Sequence, residues 1–438
     1  MRILSADFGT SSVKMAIADD NQNILTSTKV YYDYQVLNKM HVQLDADVVY
    51  QAFLEGCHHF GQQIKEIDTL VFCVFSPCLI AMDVDGTPLC PAILHLDRRS
   101  YAQSRYAVRR LGKEPFLRIN GNLPFAGGIS CTSMLWIKDN CPDIYKKTHK
   151  FGHLNTYFLK KMVDEWIIDP TNASFTGIYE TLSFGGWSKE LCDGLGLSMD
   201  KLPEIRPSLS LAGSLCSDVA TASGLRSGIP VLVGANDTSA AAFGAGAVKN
   251  GDINNISGSS EIATITTTQP VTHEKYYIRT SVEENTWLYL AITVGGFALD
   301  WFRKQFYPDM GKAYFYEDYL QSVIEKNIVP EVRFLPHLSG DRHSLQKRRG
   351  AFYNLTLDTT REEMLVALLI GSFDPILNML RLVEKHQPLN SDITWTGGLI
   401  SDSYQQFKNK VFKGYTFHTR QECSTMGNLK IAGHVLKV

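Results

Sequence analysis

Three observations predict an α/β fold. Strand-length apolar segments alternate with helix-like segments in both halves of the chain. The second half opens with the same strand, small-residue turn and strand as the first. The composition, 44% hydrophobic and 20% charged over 438 residues, is that of a globular chain with a sizeable core. In order, Arg2–Ala6 reads as a strand, Asp7–Ser12 as a turn, and Val13–Ala18 as a second strand of period two. The pattern returns as Asn254–Ile256, Gly258-Ser259-Ser260 and Ile262–Thr266. This grammar implies a duplicated architecture with a cleft between two lobes. Ser223–Pro230 is a turn-rich approach to the apolar strand Val231–Val233, and the domain boundary is placed just beyond it, dividing the chain into 1–245 and 246–438. Asp97–Leu111 reads as an exposed helix. Thr360-Arg361-Glu362-Glu363 is a capping box opening an amphipathic helix that Pro375 should kink or end.

Charge and motifs exclude several classes. With 43 Lys+Arg against 45 Asp+Glu the net charge is −2, which argues against a nucleic-acid partner found by bulk electrostatics. No run approaches the ~18 consecutive apolar residues of a membrane span. Asp7 interrupts the first apolar run, so a secretory signal is not expected, and nine irregularly spaced cysteines suit reduced thiols in a cytoplasm. Cys57-His58-His59 lacks a second ligand pair at zinc-finger spacing, and the chain contains no HExxH, Gly-x-Ser-x-Gly or GxxxxGK[ST] motif.

Four segments carry residues suited to phosphate chemistry. In Asp7-Phe8-Gly9-Thr10-Ser11-Ser12-Val13-Lys14 a carboxylate precedes a turn whose amides and hydroxyls could hold an anion, with Mg²⁺ oriented through water. Lys14 reads equally as an anion ligand or a solvated strand lysine. In Gly234–Gly246, Asp237 follows an apolar strand and opens an Ala-rich helix; it reads either as a helix N-cap or as a general base. Gly258-Ser259-Ser260 is a second phosphate turn or a hairpin. In Trp395–Leu399, Gly397 and Gly398 would let a flat ring or a ribose approach the backbone, or would form a strand-to-helix turn.

The order of these segments resembles the FGGY family of carbohydrate kinases, within the actin-like and hexokinase-like ATPase superfamily. Asp7–Lys14 is similar to the family's first phosphate motif. Ala92–Arg98 looks like the stretch that usually reads Trp-x-Asp-x-Arg, with His95 for the tryptophan, and Trp136–Asn140 fits the end of one signature. Gly234–Gly246 resembles the segment bearing the catalytic aspartate. Phe334–Gly340 with Arg349–Phe352 and Leu355 resembles the second signature, Gly397-Gly398 the adenine-side glycines and Ser424–Gly433 the closing helix. The resemblance implies two ribonuclease-H-like lobes around a cleft and an ATP- and Mg²⁺-dependent enzyme. Asp237 is its base, Asp7 and Asp237 position Mg²⁺ through water, and Gly9, Thr10, Ser11, Ser12, Lys14, Gly258, Ser259, Ser260, Gly397 and Gly398 contact ATP.

Departures from the family pattern fall on the sugar side. His41–Asp45 stands where Trp-x-Glu-x-Asp is usual, Phe75-Ser76-Pro77 where xylulose kinases carry Gln-Met-His, and Ser133 where a lysine is expected. Gln43, Asp97 and Asn236 are the expected sugar contacts. The expected acceptor is a ketose, polyol or sugar acid, phosphorylated at a primary hydroxyl, with no nucleic-acid or membrane partner and a homodimer left open. The alternatives are a sugar- and nucleotide-binding regulator of the same fold that has lost turnover, and a nucleotide-driven filament or chaperone.

Overall fold

The computed structural model describes all residues except 39, 339, 342, 399–400 and 438. Ser339 within Phe334–Gly340 and Leu399 at the end of Trp395–Leu399 therefore lie outside the described residues. The first sheet contains β1 (Arg2–Phe8), β2 (Ser12–Asp19), β3 (Ile24–Tyr31), β4 (Thr69–Val74), β5 (Leu211–Ser214), β6 (Pro230–Leu232) and β7 (Ala235–Asn236). Its order is β5-β6-β4-β1-β2-β3, with β7 also on β4. β1, β2 and β3 form an antiparallel meander, and β4 runs parallel to β1.

The second sheet repeats this plan. It contains β8 (Ile253–Ser257), β9 (Ser260–Thr267), β10 (Tyr277–Thr280), β11 (Trp287–Val294), β12 (Asp392–Gly397) and β13 (Thr416–Thr419), in the order β10-β11-β9-β8-β12-β13. Again three antiparallel strands, β8, β9 and β11, with β10 added antiparallel at the edge, are followed by parallel pairings, β8 with β12 and β12 with β13. Each sheet thus has the ribonuclease-H-like plan. The first hairpin turn is shorter than the sequence reading, because Asp7 and Phe8 still pair with Lys14 and Val13.

Burial explains these strands. Every residue of β4 is buried, as expected for a central parallel strand covered on both faces. One face packs Leu4, Phe8, Phe72 and Phe158 together. The other packs Ile3, Val71 and Leu232 against Leu429 and Ile431 of the C-terminal helix. Four helices matter below: α1 (Asp237–Ala245), α2 (Arg361–Val383), α3 (Asp402–Val411) and α4 (Cys423–Leu436). The exposed helix expected from Asp97 begins at Tyr101, and it buries Gln103, Ser104 and Ala107.

The capping box forms as read, with Thr360 and Glu363 bonding reciprocally, but Pro375 does not end the helix. The apolar face from Leu365 to Val383 is buried against the second sheet, and that burial outweighs one missing N–H bond. α2 has the length and mean hydropathy, 1.6, of a membrane span, yet 61% of that window is buried inside the protein.

α4 crosses back to the first sheet and packs on α1 through two glycines. A Cβ on Gly427 would lie 2.0 Å from the Ala240 carbonyl oxygen, and one on Gly244 would lie 1.9 Å from that of Cys423. Backbone cannot retreat as a side-chain tip can. Gly427→Val is therefore expected to cost at least about 1–3 kcal/mol and to lower Tm by several degrees. Thermal unfolding of the variant checks this; an unchanged Tm would contradict the close approach.

Candidate active site

Register brings the first carboxylates together. β1, β4 and β7 are parallel, with Asp7, Cys73 and Ala235 in one row and Phe8, Val74 and Asn236 in the next. Asp7 and Asp237 therefore emerge at neighbouring strand ends, both only partly covered. Burial, reinforced by the charge of Asp7, pushes the Asp237 carboxyl up to about 7. Burial likewise raises Asp7, against hydrogen bonds from the Cys73 thiol and the Ser424 hydroxyl at the start of α4. Tyr32 lies close enough to feel both charges, and burial with those charges raises its own phenol. Its hydroxyl donates to Gly9 O at 2.5 Å and to Ser12 O at 3.3 Å, pinning the first turn.

The helix cap is Asn236 rather than Asp237. Asn236 Oδ1 accepts from Thr238 N at 3.1 Å and Ser239 N at 3.3 Å, and its Nδ2 donates to Asp237 Oδ1 at 3.0 Å and Val74 O at 3.3 Å. Asp237 is the first helical residue, and its carboxylate also accepts from Thr238 N at 2.6 Å. Asn236 is 1% exposed, and its side-chain Oδ1 and Nδ2 are both engaged in positioning the start of α1.

Its backbone is held by a further network that the sequence reading did not single out. Asn236 N donates to Thr171 Oγ1 at 2.6 Å. Thr171 donates in turn to Asp169, which also accepts from Asn172, and Ser76 donates to Asn172. The Ser76 that stands in the departing Phe75-Ser76-Pro77 segment is thus tied, side chain by side chain, to the residue before Asp237.

Other expected contacts divide. The hydroxyls of Thr10, Ser11 and Ser12 enter no hydrogen bond among the described residues, and Gly9 N closes the turn on Ser12 O at 2.9 Å. Lys14 does not stand free for an anion: it is ion-paired with Glu422, immediately before α4. Gln43 and Asp97 are both engaged within the first lobe. Asp97, 1% exposed, accepts from Val42 N at 2.7 Å, Arg99 N at 2.7 Å and Arg99 Nε at 2.8 Å. Gln43 is paired with Gln35 and Arg99, both at 3.3 Å. Their neighbours Val42 and Arg98 line a cavity instead, because alternate residues of an extended segment face opposite ways.

Two cavities meet at the second phosphate turn. The larger, about 1180 Å³, is lined by Gly258, Ser259, Phe297, Tyr316, Gly398 and Tyr404 among others. The smaller, about 770 Å³, lies between the lobes; it shares Phe297 and takes Ser260, Val42 and Arg98. Of the two adenine-side glycines only Gly398 lines a cavity, where a Cβ would meet nothing within 4 Å. Gly397 is a glycine for packing: at φ +126° its Cβ would lie 2.1 Å from Ser257 O. Beneath the turn, Lys408 and Glu261, 0% and 1% exposed, form a buried ion pair at 2.7 Å. Lys408 Nζ also donates to Ser257 Oγ at 2.7 Å, as does Trp395 Nε1.

Two partly buried carboxylates, with Asp7 raising Asp237 and the nearby Lys14 already paired with Glu422, form a site short of positive charge. Their hard oxygen donors fit Mg²⁺. No group of three or more His, Cys, Asp or Glu able to enclose a metal occurs among the described residues. The fit is therefore to an ion that keeps waters and takes phosphate oxygens as its other ligands.

Two ribonuclease-H-like sheets around a cleft, with a carboxylate pair at the strand ends, define the two-lobed actin-like ATPase architecture. The family model for the N-terminal domain of the FGGY carbohydrate kinases matches residues 2–244, and the chain belongs to that family. Members are phosphotransferases with an alcohol group as acceptor. The chain is 24% identical over 429 residues to the xylulose kinase of Staphylococcus xylosus, covering 96% of this chain and 87% of that one. It is 24% identical over 426 residues to the gluconokinase of Bacillus licheniformis, covering 94% and 83%. The structure of ligand-bound xylulose kinase from Lactobacillus acidophilus superposes with a TM-score of 0.88 at 22% identity, covering 100% of this chain and 89% of that one.

Proposed function

We propose that the protein transfers the γ-phosphate of ATP to a primary hydroxyl of a ketose, polyol or sugar acid, with Asp237 as general base. The observation that carries this reading is Asp237 itself, a carboxylate at a strand end, partly exposed and pushed up to about 7 beside Asp7. A base with that affinity takes the acceptor's proton near neutral pH and still exists ionised there. Asn236 and the Thr238 amide orient the carboxylate. The free hydroxyls of Thr10 to Ser12 and the turn at Gly258–Ser260 would bind phosphate oxygens from opposite lobes. The 1180 Å³ cavity, with Gly398 open to it, would take the nucleoside. Asp7 and Asp237 would hold Mg²⁺ through water, and the ion when bound neutralises phosphate charge. Closure of the lobes excludes water, so that the sugar hydroxyl is the acceptor.

The test is ADP release with Mg²⁺ and ATP across ketopentoses, ketohexoses, polyols and aldonic acids. Release dependent on one class of acceptor is expected. ATP binding by calorimetry without turnover on any acceptor would favour the binding-only regulator, and no ATP binding would overturn the reading altogether.

A further inference from the structure

The smaller interlobe cavity carries charge of one sign. Arg98, Lys347, Arg348 and Arg349 line it, and none of its described lining residues is an aspartate or glutamate. The larger cavity by contrast balances Lys29 and Lys312 with Asp300 and Glu317. Arg98 is the buried floor of the smaller one. It is 5% exposed, its Nη1 donates to His95 O and Asp97 O, both at 2.8 Å, and its Nε and Nη2 meet no hydrogen-bond acceptor among the described residues.

The adjacent carboxylate is shared: Asp97 acts on Arg98 through its charge but makes its ion pair with Arg99. The slot for the guanidinium is built into the backbone. Gly127, at φ +77°, would place a Cβ 2.2 Å from Arg98 Nη1, so only glycine leaves room there. Across the cleft, Gly340 brings the second lobe over Arg98, its Cβ position 3.4 Å from the Tyr101 hydroxyl and 3.9 Å from Arg98 Nε. On the rim Arg348 reaches Asp341 at 3.4 Å, while Lys347 lies over the Tyr101 ring at 5.5 Å. A buried guanidinium whose Nε and Nη2 have, among the described residues, only the Tyr101 hydroxyl nearby is stabilised when an anion meets it, and its fork matches a carboxylate or phosphate.

We propose that the acceptor carries a negatively charged group, bound by Arg98 on the cavity floor and by Lys347 and Arg349 on its rim. This rests on the kinase reading above and narrows it to sugar acids or sugar phosphates, against neutral ketoses and polyols. The carboxylate and the phosphate ester share the same recognition, so the experiment separates them.

Calorimetry on the full chain would compare D-gluconate with D-glucitol, and fructose 6-phosphate with fructose, at low and high salt, alongside ADP release. In at least one pair the acid is expected to bind at least about tenfold more tightly than its neutral counterpart, with the advantage weakening in salt. Lys347→Gln/Arg349→Gln is expected to weaken that binding about tenfold and flatten its salt dependence, leaving the Kd of ATP unchanged. Arg98→Lys should abolish the preference for the acid; since that variant disturbs a buried site, the rim variant keeps the test independent of folding. Preference for the neutral member, equal binding of the acid by the rim variant, or a loss confined to ATP would each overturn the proposal. Acid binding that responds to the substitutions without ADP release would leave the anion site standing and remove the kinase reading. Turnover of neutral sugars alone would do the reverse.

Discussion

Asp237→Asn is expected to lower kcat by about 10²- to 10⁴-fold while the Kd of ATP changes by less than about threefold. The amide retains the shape and the Thr238 N–H contact but cannot take a proton. Because burial and Asp7 hold the wild-type group up to about 7, kcat/KM of the native enzyme should fall on the acid side of that value, as the base is protonated. The stability consequence has a definite sign. A carboxyl raised from 3.8 to about 7 binds its proton more tightly folded than unfolded. Its favourable contribution is complete below the unfolded value and lost as pH climbs through the folded one. The Tm of Asp237→Asn relative to wild type should therefore rise between pH 5 and pH 8. Steady-state kinetics with calorimetry of ATP, and thermal melts across that range, check both. Near-normal kcat would remove Asp237 from the role of base.

The second large effect is expected below the phosphate turn. Lys408→Met should destabilise the protein by about 3–5 kcal/mol, because it strands the Glu261 carboxylate in an apolar interior. The same change should raise the KM for ATP about tenfold. Ser257, which Lys408 holds, bears the Gly258 turn and accepts the Gly398 N–H at 3.0 Å. Glu261→Gln/Lys408→Met should recover most of the stability by removing the unpaired charge. Chemical denaturation of the single and double variants gives the coupling. If Lys408→Met melts like wild type, the pair does not support the turn.

Much of the candidate site was legible because its signals are local. Asp7 precedes its turn, Asp237 lies between an apolar strand and an Ala-rich helix, and Gly258–Ser260 sits between two alternating strands. Each is a statement about a few consecutive residues, where backbone sterics and strand periodicity act directly. The second signature includes Arg349 in the same way, and the charge run Lys347-Arg348-Arg349 is visible in the sequence.

Other features were decided by distant elements or by an adjacent residue. Of the two readings open for Asp237, the cap falls to Asn236, one residue earlier, since either side chain can accept an amide hydrogen. That Val42 and Arg98 rather than Gln43 and Asp97 line the interlobe cavity is not legible in the sequence, which does not say which side of an extended segment faces the other lobe. Lys14 lost its freedom to Glu422, 408 residues later. Pro375 was overruled by the apolar face of α2.

The sequence by itself determined the α/β class, the two repeated halves and the carboxylates and turns suited to phosphate. These follow from periodicity, small-residue turns and the order of short motifs, all encoded within a turn or strand length. Only the tertiary structure decided that Asp7 and Asp237 are neighbours, that α4 closes against the first sheet through Gly427 and Gly244, and that Arg98 is buried on the floor of a cavity whose described lining holds no carboxylate. Those outcomes depend on strand register, on backbone-to-backbone approach and on desolvation, which arise only when segments far apart in the chain exclude water from one another.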